Sequence, residues 1–337
     1  MANILVTGGA GYVGSVCCRR LLELGHSVTI VDDLSTGHAD AVPSGAKFYR
    51  FSIDDRSHLS ALVQSQRFDA VFHFAAKALI PESVTNPGAF FDANVRSGIS
   101  MLETIRAAGI RRFVYSSSAA VYGTPERTPI TETHPKEPVN AYGESKLMLE
   151  RALEWYARAY GWGVASFRYF NASGAADGAG EAHDPETHLI PLALQASMGL
   201  REYLEIYGAD YPTPDGTCVR DYVHVLDIAD AHVRVFDRLQ EGVAAAYNIG
   251  TGTGHTVREI CSAIERVTGR KVPVRVGPRR PGDPAVLCAS PKKIMEELGW
   301  NPTHSSLENI IASACQWQES MLASEGYQTQ AGGQCAS

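Results

Sequence analysis

The sequence predicts an α/β fold, in which a doubly wound parallel sheet is accompanied by a smaller, interleaved α/β lobe. Two observations lead to this prediction. In the first half of the chain, short runs rich in β-branched residues alternate with amphipathic helical stretches, which is typical of right-handed βαβ units. Near Asn171 this alternation gives way to a Gly/Ala-rich stretch and then to segments interrupted by proline.

The predicted elements follow from this alternation. Strands are expected where a short apolar run ends at turn residues, at residues 4–7, 27–31, 70–74, 112–116 and 164–168. Helices are expected where apolar residues repeat with helical spacing, at residues 13–24, 56–64, 90–107, 144–159, 225–239, 256–268, 291–298 and 305–321.

Length and charge narrow the class of protein. The chain has 337 residues and a formal net charge of −7, so two joined lobes are expected and a nucleic-acid surface, which needs a basic stripe, is disfavoured. The N-terminal segment lacks the charged and long apolar regions of a signal peptide. No apolar run is long enough to span a bilayer. We therefore expect a cytoplasmic protein with no nucleic-acid or membrane partner.

A glycine-rich turn follows the first predicted strand and opens the first predicted helix. Gly8, Gly11 and Gly14 have a spacing that allows a tight turn, close approach of a pyrophosphate, and close packing of the helix on the strand. The N–H groups at the start of that helix would face the phosphates. Asp32 ends the second strand, where a carboxylate accepts hydrogen bonds from ribose hydroxyls and repels a 2′-phosphate. These residues predict a Rossmann-type sheet that binds NAD rather than NADP.

Three residues form a candidate catalytic group. Tyr142 and Lys146 are four positions apart, so they share one face of a predicted helix. An ordinary tyrosine has a pKa of about 10 and is a poor base at neutral pH, but a nearby ammonium group and the positive nicotinamide ring favour the phenolate. Ser118 follows a predicted strand and offers a hydroxyl that could hold a sugar oxygen. We expect Tyr142 to act as the base.

At these motifs the chain resembles the extended short-chain dehydrogenase/reductase family, and within it the UDP-galactose 4-epimerases, also called UDP-glucose 4-epimerases. The matching stretches are residues 7–14, 72–76, 116–123, 142–146, 168–171, 207–217, 219–224 and 278–283. The resemblance implies an NAD-dependent isomerase of galactose and carbohydrate metabolism. It would invert C4 of a UDP-hexose through a transient 4-keto sugar.

The resemblance also implies a role for each matching residue. Tyr142 would be the base, Lys146 its modulator and the anchor of the nicotinamide ribose, and Ser118 the partner of the sugar hydroxyl. Arg220 and Arg280 would hold the diphosphate, which suits the forked geometry of guanidinium groups. The implied cofactor-binding residues are Gly8, Gly11, Tyr12, Val13, Gly14, Asp32, Ser52, Ile53, Phe74, Ala75, Ala76, Asn94, Ser116, Tyr142, Lys146 and Tyr169. The implied substrate-binding residues are Ser118, Tyr142, Asn171, His188, Leu189, Tyr207, Arg220, Arg280 and Asp283.

With these roles, the chain divides into three expected parts. Residues 1–170 would form the NAD-binding Rossmann domain, to which the chain returns near 219–245. Residues 171–323 would form the smaller UDP-sugar-binding lobe. Residues 324–337 are polar and rich in glutamine and glycine, and are expected to be a disordered tail.

Four positions depart from the family pattern. Ser52 stands where an aspartate usually contacts the adenine, and His188 stands where an asparagine often faces the diphosphate or uracil. Ala120 replaces a threonine often found near the sugar. Leu287 lies where the bulk of the side chain is thought to limit N-acetylated sugars, and its intermediate size leaves that substrate class open.

An acidic and histidine-rich stretch raises the question of a metal. Glu181, His183, Asp184, Glu186 and His188 lie close together in sequence. Their spacing matches no zinc motif, and the stretch around the neighbouring proline is loop-like. We expect a polar loop that covers the substrate, and no metal.

Other functions of the same fold remain open alternatives. A nucleotide-sugar dehydratase or a UDP-glucuronate decarboxylase needs an added acid or base just after the strand serine, where this chain has Ala119 and Ala120. A 4-epimerase for a UDP-N-acetylhexosamine, pentose or uronate is separated poorly by sequence. A non-catalytic dinucleotide sensor would not need the Tyr–Lys pair.

We also expect a homodimer. Related enzymes pair two helices from each subunit, and the matching helices here are predicted at residues 90–107 and 144–159. Their apolar residues include Phe91, Val95, Leu102, Leu147, Trp155 and Tyr156.

Overall fold

The computed structural model describes residues 1–176, 178–280 and 282–324. The tail expected at 324–337 therefore lies outside the described residues, apart from Ser324, which ends the last helix. None of the helices in the described part of the chain is both long and apolar enough to cross a membrane.

The strands form three sheets. In chain order the strands are β1 Asn3–Thr7, β2 Ser27–Asp32, β3 Lys47–Arg50, β4 Ala70–His73, β5 Arg112–Ser118, β6 Gly163–Tyr169, β7 Asn171–Ser173, β8 Leu204–Tyr207, β9 Val219–His224, β10 Ala244–Ile249, β11 Gly254–Thr256, β12 Val274–Gly277 and β13 Val286–Leu287. The largest sheet has seven strands in the order β10-β6-β5-β4-β1-β2-β3. All of its neighbouring strands run parallel.

The helices connect these strands. They are α1 Tyr12–Glu23, α2 Arg56–Ser65, α3 Ile80–Thr85, α4 Pro87–Phe90, α5 Ser97–Ala107, α6 Ala141–Tyr160, α7 Leu189–Ser197, α8 Val225–Phe236, α9 Val257–Thr268, α10 Lys292–Leu298 and α11 Leu307–Ser324. A π-helical stretch, Phe91–Arg96, joins α4 to α5, so the helix predicted at 90–107 is continuous but locally widened.

Helices cover both faces of the large sheet. Side chains of β1 alternate: Ile4 and Val6 pack in a cluster with α1 and α8, whereas Leu5 packs in a second cluster with α2, α5 and α6. This alternation is the period-two pattern of a strand that is buried on both sides. The predicted α/β fold with a doubly wound parallel sheet is confirmed.

A separate core lies under the smaller sheets. It joins residues from α7, α9 and α11 with β8, and includes Ile206, Ile264 and Ile311. Strands β7 and β9 pair in parallel, which places Asn171 opposite Tyr222. The proposed boundary at residue 170 remains a prediction.

Two strands of the large sheet did not emerge from the sequence pattern. β3 is an edge strand of four residues with the burial pattern exposed, half-buried, exposed, exposed, so it lacks the apolar run of a buried strand. β10 begins with three alanines, which have low strand propensity, and it is fixed by parallel pairing with β6.

Candidate active site

The glycine-rich turn brings three parts of the backbone into close contact. Gly8 has φ +75, and a Cβ atom there would lie 2.3 Å from the backbone nitrogen of Ala75. A Cβ atom on Gly14 would lie 2.2 Å from the carbonyl oxygen of Gly8. Because only glycine fits at both positions, α1 starts directly against the turn. Gly11, which precedes α1, has no side chain to cap its first N–H groups, so the turn fits a pyrophosphate.

Asp32 lies at the end of β2 beside this turn. Its carboxylate accepts hydrogen bonds from the backbone N–H groups of Ala10, at 3.0 Å, and Leu34, at 2.9 Å. Burial raises the pKa of Asp32, and these two hydrogen bonds oppose the rise. The side chain is thus held at the strand end where a ribose hydroxyl donor is expected.

Ser52, which is expected to lie on the adenine side, is followed by Ile53 and Asp54. Ile53 is buried. The neighbouring carboxylate of Asp54 is hydrogen-bonded by Ser52 and Arg96, which lower its pKa, and its distance to Arg96 is 3.1 Å. Asp54 is therefore already paired with a guanidinium group.

Residues after β4 line the other side of the turn. The backbone N–H groups of Phe74 and Ala75 donate to the carbonyl oxygen of Thr7, at 2.8 and 3.1 Å. Asn94 is buried and forms two hydrogen bonds with the backbone of Lys77. Its Oδ1 accepts from the N–H of Lys77 at 2.8 Å, and its Nδ2 donates to Lys77 O at 3.0 Å. The same amide nitrogen lies 2.9 Å from Ser145 Oγ on α6. Asn94 thus links the cofactor side to the catalytic helix.

The start of α6 is positioned by two residues beside Tyr142. Asn140 caps the helix, because its Oδ1 accepts from the N–H of Gly143 at 2.8 Å. A Cβ atom on Gly143 would lie 2.5 Å from the carbonyl oxygen of Ala120. Glycine therefore lets the helix start pack on the turn that follows Ser118.

Lys146 is buried beneath this turn. Its Nζ donates to the carbonyl oxygen of Ser116 at 2.8 Å and lies 5.8 Å from the centre of the Tyr142 ring. Burial lowers the pKa of Lys146 to about 7, although the negative charge of Glu150 acts in the opposite direction. Burial raises the pKa of Tyr142, and a hydrogen bond with Ser118 opposes that rise.

These directions belong to the chain without NAD, and the expected joint effect of Lys146 and the nicotinamide ring on Tyr142 stays a prediction. The ammonium group of Lys146 was expected to help lower the pKa of Tyr142. In the chain itself burial is the dominant effect on both groups, and it favours the uncharged form of each.

A buried network of hydrogen bonds and one ion pair joins α6 to the ends of β5 and β6. It was not predicted from the sequence. Glu150 forms an ion pair with Arg168 at 2.7 Å, and their side chains are 4% and 3% exposed. Ser117 Oγ donates to Glu150 Oε1 at 2.5 Å. Arg168 also donates to the hydroxyl of Tyr122 at 2.8 Å. The available signal was the spacing of Tyr142, Lys146 and Glu150, which repeats every four residues on one helix face.

Tyr169 ends β6 next to Ser116. Its hydroxyl lies 2.7 Å from His232 Nε2, while His232 Nδ1 lies 2.9 Å from the carbonyl oxygen of Ile228. Since a carbonyl only accepts, Nδ1 carries the proton and Nε2 accepts from Tyr169. Burial lowers the pKa of His232 to about 4, so this ring is neutral.

On the expected substrate side, the polar side chains contact other residues of the chain. Arg220 and Asp283 form an ion pair at 2.5 Å. The guanidinium carbon of Arg280 lies 3.9 Å from the centre of the Tyr207 ring. Asn171 Nδ2 donates to the carbonyl oxygen of Asp221 at 2.8 Å.

At the start of α7, Leu189 faces the core and His188 faces acidic side chains. Leu189 is half-buried and packs against the core under the smaller sheets. His188 Nδ1 faces Glu181 Oε1 and Glu186 Oε1, at 2.6 and 2.9 Å, so this nitrogen is turned toward acidic residues of its own segment.

A model of the NAD dependent epimerase/dehydratase family matches residues 4–250. The chain belongs to this family. The resemblance predicted from the sequence is confirmed.

Other members of the epimerase/dehydratase family are similar over nearly the whole chain. The UDP-glucose 4-epimerase of Streptococcus mutans is 48% identical over 322 residues, which are 94% of this chain and 97% of that protein. The crystal structure of UDP-glucose 4-epimerase from Brucella ovis in complex with NAD has a TM-score of 0.90 and 44% identity, and the match covers 94% of this chain and 98% of that one. The structure from Stenotrophomonas maltophila, with bound NAD and formylated UDP-arabinopyranose, has a TM-score of 0.93 and 39% identity, covering 96% and 100% of the two chains.

Proposed function

We propose that this protein is an NAD-dependent UDP-glucose 4-epimerase, an isomerase that interconverts UDP-galactose and UDP-glucose through a transient 4-keto sugar. The observation that carries the proposal is the position of Tyr142 and Lys146 on one face of α6, beside the end of β5, where Lys146 Nζ donates to Ser116 O at 2.8 Å. The similarity to UDP-glucose 4-epimerases over 94% of the chain supports the same reaction.

NAD fits the cradle formed by Gly8, Gly14 and Asp32, and when bound it supplies hydride acceptance and return at C4. The implied set of cofactor residues also includes Asn94 and Lys146. Asn94 keeps the backbone after β4 in place through its two hydrogen bonds to Lys77. Lys146 donates to Ser116 O and would hold the nicotinamide ribose.

The protein residues move and hold a proton at the sugar. Tyr142 takes the proton of the 4-hydroxyl when the sugar is oxidised and returns it when the sugar is reduced. Ser118 lies within hydrogen-bonding reach of Tyr142 and holds the sugar oxygen in line with that base. Inversion requires the keto sugar to turn over between these two events.

The UDP half must stay bound while the sugar turns. Arg220, Arg280 and Asp283 provide charged, directional contacts for the diphosphate and ribose, and Tyr207 provides an aromatic face for the uracil. On UDP binding, Arg220 and Asp283 would contact the ligand as well as each other. Around the sugar the implied groups are small or uncharged, which leaves it free to rotate.

A dehydratase is disfavoured by the turn after β5. Ala119 and Ala120 stand where that reaction needs an acid or base, and neither can transfer a proton. Another UDP-sugar as substrate is compatible with the same residues, because the intermediate bulk of Leu287, in β13, leaves N-acetylated sugars open.

The test is a panel of UDP-sugars, with the products resolved by NMR. UDP-galactose and UDP-glucose are expected to reach a common equilibrium mixture, and free galactose is expected to turn over poorly because it lacks the UDP half that orients C4. Turnover confined to a UDP-pentose or UDP-uronate would reassign the substrate, and formation of a stable 4-keto-6-deoxy sugar would reassign the reaction. Tyr160→Phe is the matched control for Tyr142→Phe, because Tyr160 is 44% exposed at the far end of α6.

A homodimer is also proposed, paired through α5 and α6. Trp155 and Met148 lie seven residues apart on α6 and are 66% and 39% exposed, which provides an apolar stripe on one helix face. Leu102 and Leu147, in contrast, are buried within the subunit. Light scattering should give a dimer for the native chain and a monomer for Trp155→Glu, with Leu24→Glu as a surface control. A native monomer at micromolar concentration would refute the pairing.

A further inference from the structure

Two glutamates and two histidines meet in the segment before α7. The ligating atoms of Glu181, His183, Glu186 and His188 all lie within 4.8 Å of one another. His183 Nδ1 is 3.2 Å from Glu181 Oε1, and His188 Nδ1 is 2.6 Å from the same oxygen. The sequence spacing suggested no metal, but spacing alone cannot show that a loop folds its side chains onto a common centre.

Two of the four side chains at this centre are carboxylates that are largely removed from solvent. The side chains of Glu181 and Glu186 are only 9% and 8% exposed, and a buried carboxylate is costly unless it is compensated. A divalent cation bound by two carboxylates and two neutral imidazoles leaves no net charge.

The geometry at His183 is compatible with a shared metal ion. His183 Nδ1 is buried and has no hydrogen-bond partner among the described residues, although it faces Glu181 Oε1 at 3.2 Å. Two ligands of a tetrahedral zinc ion, each bound at about 2.0–2.1 Å, are about 3.4 Å apart. The separation of these two atoms is therefore close to the edge of such a tetrahedron.

We propose that Glu181, His183, Glu186 and His188 bind one divalent transition-metal ion, for which zinc is the first candidate. Zinc commonly takes imidazole nitrogen and carboxylate oxygen in a four-coordinate site, whereas magnesium and calcium prefer oxygen ligands alone. This assigns His188 to the metal rather than to the diphosphate or uracil.

The position of the site indicates a structural role. The surrounding segment contacts the cofactor-binding turn from one side, where the hydroxyl of Tyr12 donates to Gly174 O at 2.5 Å. It also contacts the loop after β2, where His38 Nε2 lies 2.9 Å from Ala182 O. From α11, Trp317 Nε1 donates to Glu181 O at 2.9 Å. A metal ion here would stabilise the conformation of this segment, which packs against the start of α1.

The test uses the full chain, purified without a polyhistidine tag and stripped with a chelator. After addition of zinc and gel filtration, elemental analysis should find one zinc ion per chain, and the melting temperature should rise. Cobalt(II) should give the visible absorption of a tetrahedral ion without the intense charge-transfer band of a thiolate ligand. His183→Ala should bind zinc more than about 100-fold more weakly, because losing even an outer-shell partner of a ligand often costs 10–100-fold.

The control is His58→Ala, which removes an exposed histidine whose Nδ1 lies 2.6 Å from a carboxylate oxygen of Asp55. It should bind zinc as the native chain does. His183→Gln, which preserves more of the side-chain volume, replaces His183→Ala if the latter does not fold. A native chain that binds no zinc, or zinc binding that is equal in the His183 variants, would overturn the proposal and leave His188 as an imidazolium between two glutamates.

Discussion

Replacing Lys146 with methionine should make the protein more stable, although it removes a residue of the proposed site. Lys146 is 3% exposed, and its burial lowers its pKa from 10.5 to about 7. Methionine keeps much of the apolar stem and removes the buried ionisable group. The change also removes the hydrogen bond to Ser116 O, a loss that does not depend on pH.

The size of the effect follows from proton linkage. Between pH 7 and 10.5 the unfolded lysine is protonated while the folded lysine has released its proton, so the unfolded state binds one more proton. The free energy of unfolding therefore rises with pH across this window, by about 1.4 kcal/mol per pH unit. Over the whole window this amounts to about 5 kcal/mol. The advantage of Lys146→Met should thus be largest below pH 7 and should disappear as pH rises toward 10.5.

The assay is urea unfolding of both proteins at several pH values after bound nucleotide has been removed, because Lys146→Met would also change the affinity for NAD and so the stability of the loaded protein. The informative quantity is the difference between the two free energies of unfolding as a function of pH, because other titrating groups and the lost hydrogen bond contribute equally at each pH or cancel. A difference that stays constant from pH 7 to 10 would show that the buried lysine keeps its ordinary pKa, and the reasoning would be wrong.

Four further outcomes are expected. Tyr142→Phe should retain the fold and bound NAD but lose turnover by a factor on the order of 10² or more, as measured with UDP-galactose; activity equal to the native enzyme would place the base elsewhere. Gly14→Ala should lose bound NAD, since the new Cβ would lie 2.2 Å from Gly8 O; nucleotide released on denaturation measures this, and recovery of NADP as the main nucleotide from the native chain would contradict the cofactor assignment. Arg280→Ala, which also removes the contact with the Tyr207 ring, should weaken UDP binding by roughly 2–5 kcal/mol; calorimetry showing native affinity would refute the anchoring role. Ultraviolet difference spectra should show more phenolate from Tyr142 with NAD⁺ bound than with NADH, and equal spectra would count against a base that depends on the oxidised cofactor.

The parts of the fold that the sequence predicted are those with local signals. β1, α1 and the glycine-rich turn between them could be located because the spacing of apolar residues changes at the glycines, from the period of two residues of a strand to the period of 3.6 residues of a helix. The edge strand β3 could not, because its exposed residues carry no burial pattern. β10 could not either, because it is held by pairing with a strand about 80 residues earlier in the chain.

The same contrast holds within the candidate site. Tyr142 and Lys146 are a local pair on one helix, so their shared face could be inferred from spacing. The partner of Glu150 is Arg168, on a different element, and nothing in the sequence indicates which arginine meets which glutamate. The convergence of Glu181 and His188 escaped prediction for the same reason, since loop geometry decides it.

The opposed pKa shifts of Tyr142 and Lys146 have one physical origin and a consequence for when the base can act. Burial favours the neutral form of each group, so it favours a phenol beside an amine over a phenolate beside an ammonium. Because the two groups interact, the protons they bind belong to the pair rather than to either residue. A positive charge placed next to Tyr142 in this dry site stabilises the phenolate strongly, and the oxidised nicotinamide ring is such a charge, whereas the reduced ring is neutral. The site would then hold its strongest base when hydride is about to leave C4. When hydride leaves C4, Tyr142 would take the proton of the 4-hydroxyl group and become a neutral phenol, and it would hold that proton until the proton returns to the sugar oxygen.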